Sequence, residues 1–113
     1  MNDVWAAAAS VPDDRIFAPD ADLDGLREYY ATQEVEPLDL SVPTLVVQGS
    51  EDALVSRAIT DQVTEALCGN DADLTYRVYD GADHRAVLEA SFDDVHAFVE
   101  TVRSGEDAGN TCS

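Results

Sequence analysis

Two uninterrupted apolar runs organise the chain. The first, Pro43-Thr44-Leu45-Val46-Val47-Gln48-Gly49, is rich in β-branched residues, and Leu74-Thr75-Tyr76-Arg77-Val78-Tyr79 forms the second. The first run is continuous rather than alternating, which suits a strand buried on both faces of a parallel sheet. Between the runs the period changes. Ala58, Ile59, Val63, Ala66 and Leu67 recur at helical spacing over Ser56 to Cys68, and Gly69 stands where a C-terminal cap belongs. Upstream, Leu23, Leu26, Tyr29 and Tyr30 predict a helix from Leu23 to Gln33, with Asp22 or Asp24 serving its N-terminus. Downstream, Ser91-Phe92-Asp93-Asp94 has the form of a capping box. It predicts a final helix opening there, with Val95, Phe98, Val99 and Val102 on its inner face.

The predicted order is helix, strand, helix, strand, helix. A strand, a crossover helix and a second strand make a right-handed βαβ unit with parallel strands. The expected fold class is therefore α/β: a βαβα portion with two parallel strands and about three helices, incomplete as a stand-alone sheet. Residues 1–42 form an irregular and helical lead-in, 43–103 the βαβα portion, and 104–113 a small, polar, frayed tail. Parallel sheets are normally covered on both faces and built from more strands than two. One edge of the unit is expected to be apolar and unpaired, as at the end of a larger α/β protein.

Charge changes the picture of partners. The 113 residues carry 24 acidic side chains, six arginines and no lysine, for a net charge of −18. Nucleic acid is excluded as a natural partner, because gripping phosphates needs a basic face. An anionic membrane surface is disfavoured for the same reason. No stretch reaches the length of a membrane span. The opening Met1-Asn2-Asp3-Val4-Trp5-Ala6-Ala7-Ala8-Ala9 is too short and too acidic for a signal peptide.

The candidate chemistry lies just past the two strands. Asp52 sits in the turn Gly49-Ser50-Glu51-Asp52, and His84 in the turn Asp80-Gly81-Ala82-Asp83-His84. Open α/β sheets keep their reactive groups beyond the carboxyl ends of their strands. A neutral imidazole is the usual base for activating a hydroxyl near pH 7, and an acid preceding a base is the order of the last two members of a Ser…Asp…His triad. The nucleophile is missing from the sequence. There is no GxSxG, and none of the serines falls in a strand-to-helix elbow, so the oxyanion hole built beside such an elbow is missing too. No phosphate loop or GxGxxG occurs, and no cofactor or metal site is expected.

Three further features have plainer readings. His96, within the final helix, has no partner in sequence and is assigned no role. Asp20-Ala21-Asp22-Leu23-Asp24-Gly25 opens like a calcium-binding loop, but Ala31 stands at the twelfth position, where a bidentate glutamate is needed, and Arg27 at the eighth. An acidic cap for the helix near Leu23 is the simpler account. Cys68 and Cys112 have neither metal-ligand nor CxxC spacing. Either they pair, tying the tail to a helix end, or Cys68 is a small buried hydrophobe and Cys112 a free tail thiol.

From about Asp3 to Cys112 the chain resembles the C-terminal part of an α/β-hydrolase, and within that superfamily it is most similar to bacterial secretory lipases of the LIP type. Val42-Pro43-Thr44-Leu45-Val46-Val47-Gln48-Gly49-Ser50-Glu51-Asp52 resembles their acid-bearing strand and turn, and Thr75-Tyr76-Arg77-Val78-Tyr79-Asp80-Gly81-Ala82-Asp83-His84 their histidine-bearing end. Leu67-Cys68, with a cysteine near the C-terminus, looks like the family's disulfide pattern. The resemblance implies that His84 takes the serine proton and returns it to the leaving alcohol, while Asp52 holds the imidazole tautomer. It also implies a secreted protein, an ester or acylglycerol substrate, and a remaining N-terminal portion carrying the serine. Leu54, Val55 and Val87 are the local candidates for the wall of an acyl pocket.

The expected function is thus the C-terminal portion of a secreted carboxylic-ester hydrolase. The alternatives are a non-catalytic acidic binding module with relic Asp52 and His84, whose strand edge a homodimer could cover, and a calcium module built on Asp20, Asp22 and Asp24.

Overall fold

The computed structural model describes residues 7, 9–12 and 16–112. The chain forms two compact units, residues 1–33 and 34–113. In the first unit, residues 1–6, 8 and 13–15 of the lead-in lie outside the described residues, and Ala7 and Ala9 are helical. Helix α1 (Asp24–Ala31) follows. Leu23 holds the cap position and no side chain caps the helix, but the Asp22 carboxylate just before it accepts the Asp24 amide at 3.1 Å. No α1 residue is buried, and Leu26, Tyr29 and Tyr30 are exposed along it.

The second unit holds β1 (Thr44–Gly49), α2 (Arg57–Gly69), β2 (Leu74–Tyr79) and α3 (Ala86–Arg103). The two strands pair in parallel, from Thr44 opposite Leu74 to Gly49 opposite Tyr79. Side chains alternate between the two faces of the sheet. Tyr76 donates its hydroxyl to Asp61 of α2 at 2.7 Å, whereas Tyr79 donates to Asp94 of α3 at 2.6 Å. An even-numbered and an odd-numbered residue of β2 thus meet different helices, so α2 and α3 cover opposite faces. The core lies on the α2 face. Leu67, Ala72 and Leu74 are buried there, with Val46, Val63, Tyr76, Cys68 and Cys112 against them and Leu40 reaching in from the connector. Asn70 fastens that connector by donating to the Glu36 carbonyl at 2.9 Å.

Helix α2 begins where the pattern places it. The Ser56 hydroxyl accepts the Ile59 amide at its N-terminus. Its predicted stripe is only partly inward: Leu67 is buried and Val63 and Ala66 are half-buried, but Ala58 and Ile59 are exposed.

Helix α3 departs from expectation. It starts at Ala86, five residues before the predicted capping box. The Asp83 carboxylate accepts the Arg85 and Ala86 amides at 2.9 and 2.8 Å and serves the helix start instead. Ala86-Val87-Leu88-Glu89-Ala90 contains good helix formers that carry the helix on from there. Ser91 is therefore not a cap. It is buried inside the helix, as is Val87. The inner face runs through Val87, Ser91, Asp94, Phe98 and Val102, because Asp94 turns inward to accept from Tyr79 and to pair with Arg77 at 2.8 Å. Val95 and Val99, predicted to be inward, are 37% and 53% exposed.

The tail beyond Ser104 is not frayed where it meets β2. The Thr111 amide donates to the Leu74 carbonyl at 2.8 Å, and the Thr111 hydroxyl accepts the Tyr76 amide at 2.9 Å. Thr75 donates to the Gly109 carbonyl at 2.7 Å. Cys112 forms a disulfide with Cys68, which settles the two cysteine readings in favour of pairing. The tail thus covers the first half of the outer edge of β2.

The bridge closes a loop between residues 44 apart in sequence, for which chain entropy gives about 4 kcal/mol of stabilisation. Cys112→Ser is expected to lower the urea midpoint by an amount worth about 2–4 kcal/mol. It should also raise the exchange rate of the Tyr76 amide more than that of Val46, which hydrogen-exchange mass spectrometry would read.

Candidate active site

Parallel pairing brings the two turns to the same end of the sheet. His84 Nδ1 donates to Asp52 Oδ2 at 2.9 Å. The Asp52 side chain is 5% exposed and that of His84 49%. The other carboxylate oxygen, Oδ1, accepts the Leu54 and Val55 amides, both at 2.9 Å. An ionised carboxylate only accepts, so the Nδ1 position of His84 carries the proton and Nε2 of the neutral ring is left as an acceptor. Among the described residues Nε2 has no hydrogen-bond partner. The arrangement is a carboxylate held by three hydrogen-bond donors, one of them the half-exposed His84 imidazole.

The Val55 amide is the main cause holding the Asp52 carboxyl below the usual aspartate range. Burial opposes it, while His84 and the Leu54 amide reinforce it. Asp52 is therefore an anion at neutral pH and a fixed counter-charge for an imidazolium.

Residues without an assigned chemical role build the site. Gly49 ends β1 beneath the histidine turn, where a side-chain carbon would overlap the Ala82 carbonyl oxygen and come within 3.0 Å of the Asp83 carbonyl oxygen. Only glycine admits this crossing of backbones. The Glu51 amide then donates to the same Ala82 carbonyl at 3.0 Å, tying the acid turn to the base turn. Ser50 adds a second tie, its hydroxyl accepting the Gly81 amide at 2.8 Å and facing Asp80 at 3.4 Å. Gln48 anchors the acid turn from below. Its amide nitrogen donates to the Gly49 and Val55 carbonyls at 3.1 and 2.9 Å, and its oxygen accepts the Thr60 hydroxyl at 2.7 Å. A lone amide closing an apolar strand was the available signal for Gln48. Asp83, read only as part of the turn, aims α3 and so places His84 immediately before it.

Other predicted positions stand apart. Leu54 and Val55 are exposed beside Asp52 and can border a pocket, whereas Val87 is buried on the inner face of α3. His96 is exposed on α3. A cavity of about 300 Å³ lies away from the couple, between α2 and the strapped tail, lined by Asp61, Thr64, Cys68, Tyr76 and Thr111 among others. Burial there, with Asp61 as acceptor, pushes the Tyr76 hydroxyl up to about 12. No group of side chains suited to holding a metal occurs among the described residues, and Asp20, Asp22 and Asp24 form none.

Gly49→Ala is expected to cost about 1–3 kcal/mol in stability and to displace the histidine turn. Loss of the downfield Nδ1 proton resonance of His84 would register that displacement. A second expectation concerns acid. The Ala86 and Arg85 amides hold the Asp83 carboxyl below its ordinary value. A carboxyl whose folded value lies below its unfolded one contributes stability that is complete above about pH 4 and is lost as pH falls through the folded value. Asp83→Asn keeps an acceptor but removes the charge. Between pH 5 and pH 2 the urea midpoint of the parent should therefore fall further than that of the variant. No protein-family model, curated protein or solved structure matches the chain, so the disposition of Asp52 and His84 carries the functional reading.

Proposed function

We propose that this chain supplies the acid and base of a serine-type carboxylic-ester hydrolase, a lipase or esterase of the α/β-hydrolase kind. The observation that supports this reading is the 2.9 Å bond between His84 Nδ1 and Asp52 Oδ2 at the strand ends, with Nε2 left open. The resemblance of the two strand-and-turn segments to lipase segments is consistent with it. The Cys68–Cys112 disulfide suits an exported protein.

In this reading His84 Nε2 accepts the proton of a serine hydroxyl as its oxygen attacks the ester carbonyl. Asp52 keeps Nδ1 protonated and stabilises the imidazolium that forms. The imidazolium then protonates the leaving alcohol, and an acyl ester remains on the serine. A water attacks that ester while giving its proton to Nε2, and the serine oxygen recovers a proton as the acid departs. The serine comes from a polypeptide segment outside these 113 residues. Ser50 is unsuited to the role, since its hydroxyl is engaged by Gly81 and Asp80.

In the assembled enzyme, His84→Ala is expected to lower kcat on a p-nitrophenyl ester by about 10⁴-fold or more, and Asp52→Asn by about 10⁴-fold. Near-normal turnover in both variants would leave the non-catalytic binding module as the reading. The isolated chain should not react with a fluorophosphonate, and stoichiometric labelling would reveal a nucleophile within it.

A further inference from the structure

Gln48 lies on the α2 face of β1, two residues beyond Val46, and is 5% exposed. An apolar side chain would fill that place without the cost of drying a primary amide. Here every polar atom of the amide is engaged. The nitrogen donates to the Gly49 carbonyl at 3.1 Å and to the Val55 carbonyl at 2.9 Å. Those two carbonyls stand at the start and the end of the turn that carries Asp52. The oxygen accepts the hydroxyl of Thr60, in the first turn of α2, at 2.7 Å. Two carbonyls call for two N–H groups, and the hydroxyl calls for an acceptor. A primary amide is the neutral side chain that offers both, and the three bonds together fix which way it is turned.

From this amide the bonds run on to the couple. Val55 is held at both of its backbone groups, its C=O by Gln48 and its N–H by Asp52 Oδ1. The Leu54 amide is the only other donor to that oxygen among the described residues. His84 is half-exposed, and Asp52 Oδ2 is the only partner of its ring among the described residues. The direction in which the carboxylate presents Oδ2 therefore decides which ring nitrogen keeps its proton. Without Gln48 the Val55 peptide is free to turn away, and the carboxylate can rotate about its Cβ–Cγ bond. The ring then loses its fixed acceptor, and water can bond to either nitrogen.

We propose that Gln48 is a positioning residue for the acid–base couple: by clipping both ends of the acid turn, it keeps the proton of His84 on Nδ1 and leaves Nε2 as the acceptor. Its part in ester hydrolysis rests on the hydrolase reading above, whereas its hold on the ring does not. Thr60 is the second half of the device. Without the Thr60 hydroxyl, the Gln48 oxygen has no partner, and the amide can swing off the two carbonyls. The first turn of α2 is thereby coupled to the acid.

Nitrogen NMR of the histidine rings in the 113-residue chain tests this. At about pH 9 a histidine ring is neutral, and its two nitrogen shifts show which atom carries the proton. The parent is expected to show the Nδ1–H form of His84. Gln48→Met keeps the volume and removes all three amide bonds, and it should show a mixture of Nδ1–H and Nε2–H forms. Thr60→Val should shift the ring in the same direction, while Thr60→Ser, which keeps the hydroxyl, should match the parent. His96, exposed on α3, is the internal control in the same spectra. A residue needed only for packing would lower the urea midpoint and leave the ring proton where it is. Parental Nδ1–H spectra in folded Gln48→Met and Thr60→Val would overturn the proposal. If Gln48→Met does not fold, the two Thr60 variants decide the matter alone. In the assembled enzyme, Gln48→Met is expected to lower kcat on the p-nitrophenyl ester by about 10²-fold, with KM within about twofold of the parent. Parental kcat there, with His84→Ala inactive, would overturn the role of Gln48 in the reaction and leave the hydrolase reading standing. Near-normal turnover in His84→Ala would overturn the hydrolase reading, and the nitrogen spectra would still decide whether Gln48 holds the ring.

Discussion

The parallel register of β1 and β2 is the constraint on which the rest depends. With Gly49 opposite Tyr79, both strands end at the same level, and the turns that follow them are neighbours. Antiparallel pairing of the same two runs would send the acid and the base to opposite ends of the sheet, about 20 Å apart for six-residue strands. The crossover through α2 supplies the long connection that parallel pairing requires. The 2.9 Å bond between His84 and Asp52 is thus a consequence of topology, refined by the close crossing of Gly49 and Ala82.

The site consists of few side chains and many backbone groups. Asp52 is held by the Leu54 and Val55 amides, Asp83 by those of Arg85 and Ala86, and the acid turn reaches the base turn through Glu51 N–H and Ala82 C=O. In a chain with 24 carboxylates and six arginines, backbone amides are the abundant uncharged donors. They fix a carboxylate without requiring a cation for each one. The same economy explains why Asp52 can be shielded from water and remain ionised.

The sequence made the strands, the crossover helix and the acid–base pair legible because each depended on local pattern: β-branched runs, helical spacing from Ala58 to Leu67, and a polar turn after each strand. It misled where two signals competed. Ser91-Phe92-Asp93-Asp94 has the composition of a helix start, but Asp83 lies earlier and is followed by helix formers, so the helix is already under way at Ser91. The inner face of α3 followed from that error and from Asp94, a charged residue that turns inward because Tyr79 and Arg77 receive it. The docking of Thr111 on β2 left no local trace, since a small polar tail reads alike whether it is free or strapped. Gln48, Ser50 and the Gly49 crossing are tertiary facts that a strand pattern does not contain.

The disulfide also has a topological consequence. The covalent ring from Cys68 to Cys112 contains β2, His84 and α3, whereas β1 and Asp52 lie outside it on the Cys68 side. Any single cut in the backbone between residues 69 and 83, including one in the exposed turn around Asn70 and Asp71, leaves the piece bearing the acid covalently joined to the piece bearing the base. Proteolytic nicking there converts the chain into two linked peptides and does not set either half of the couple free.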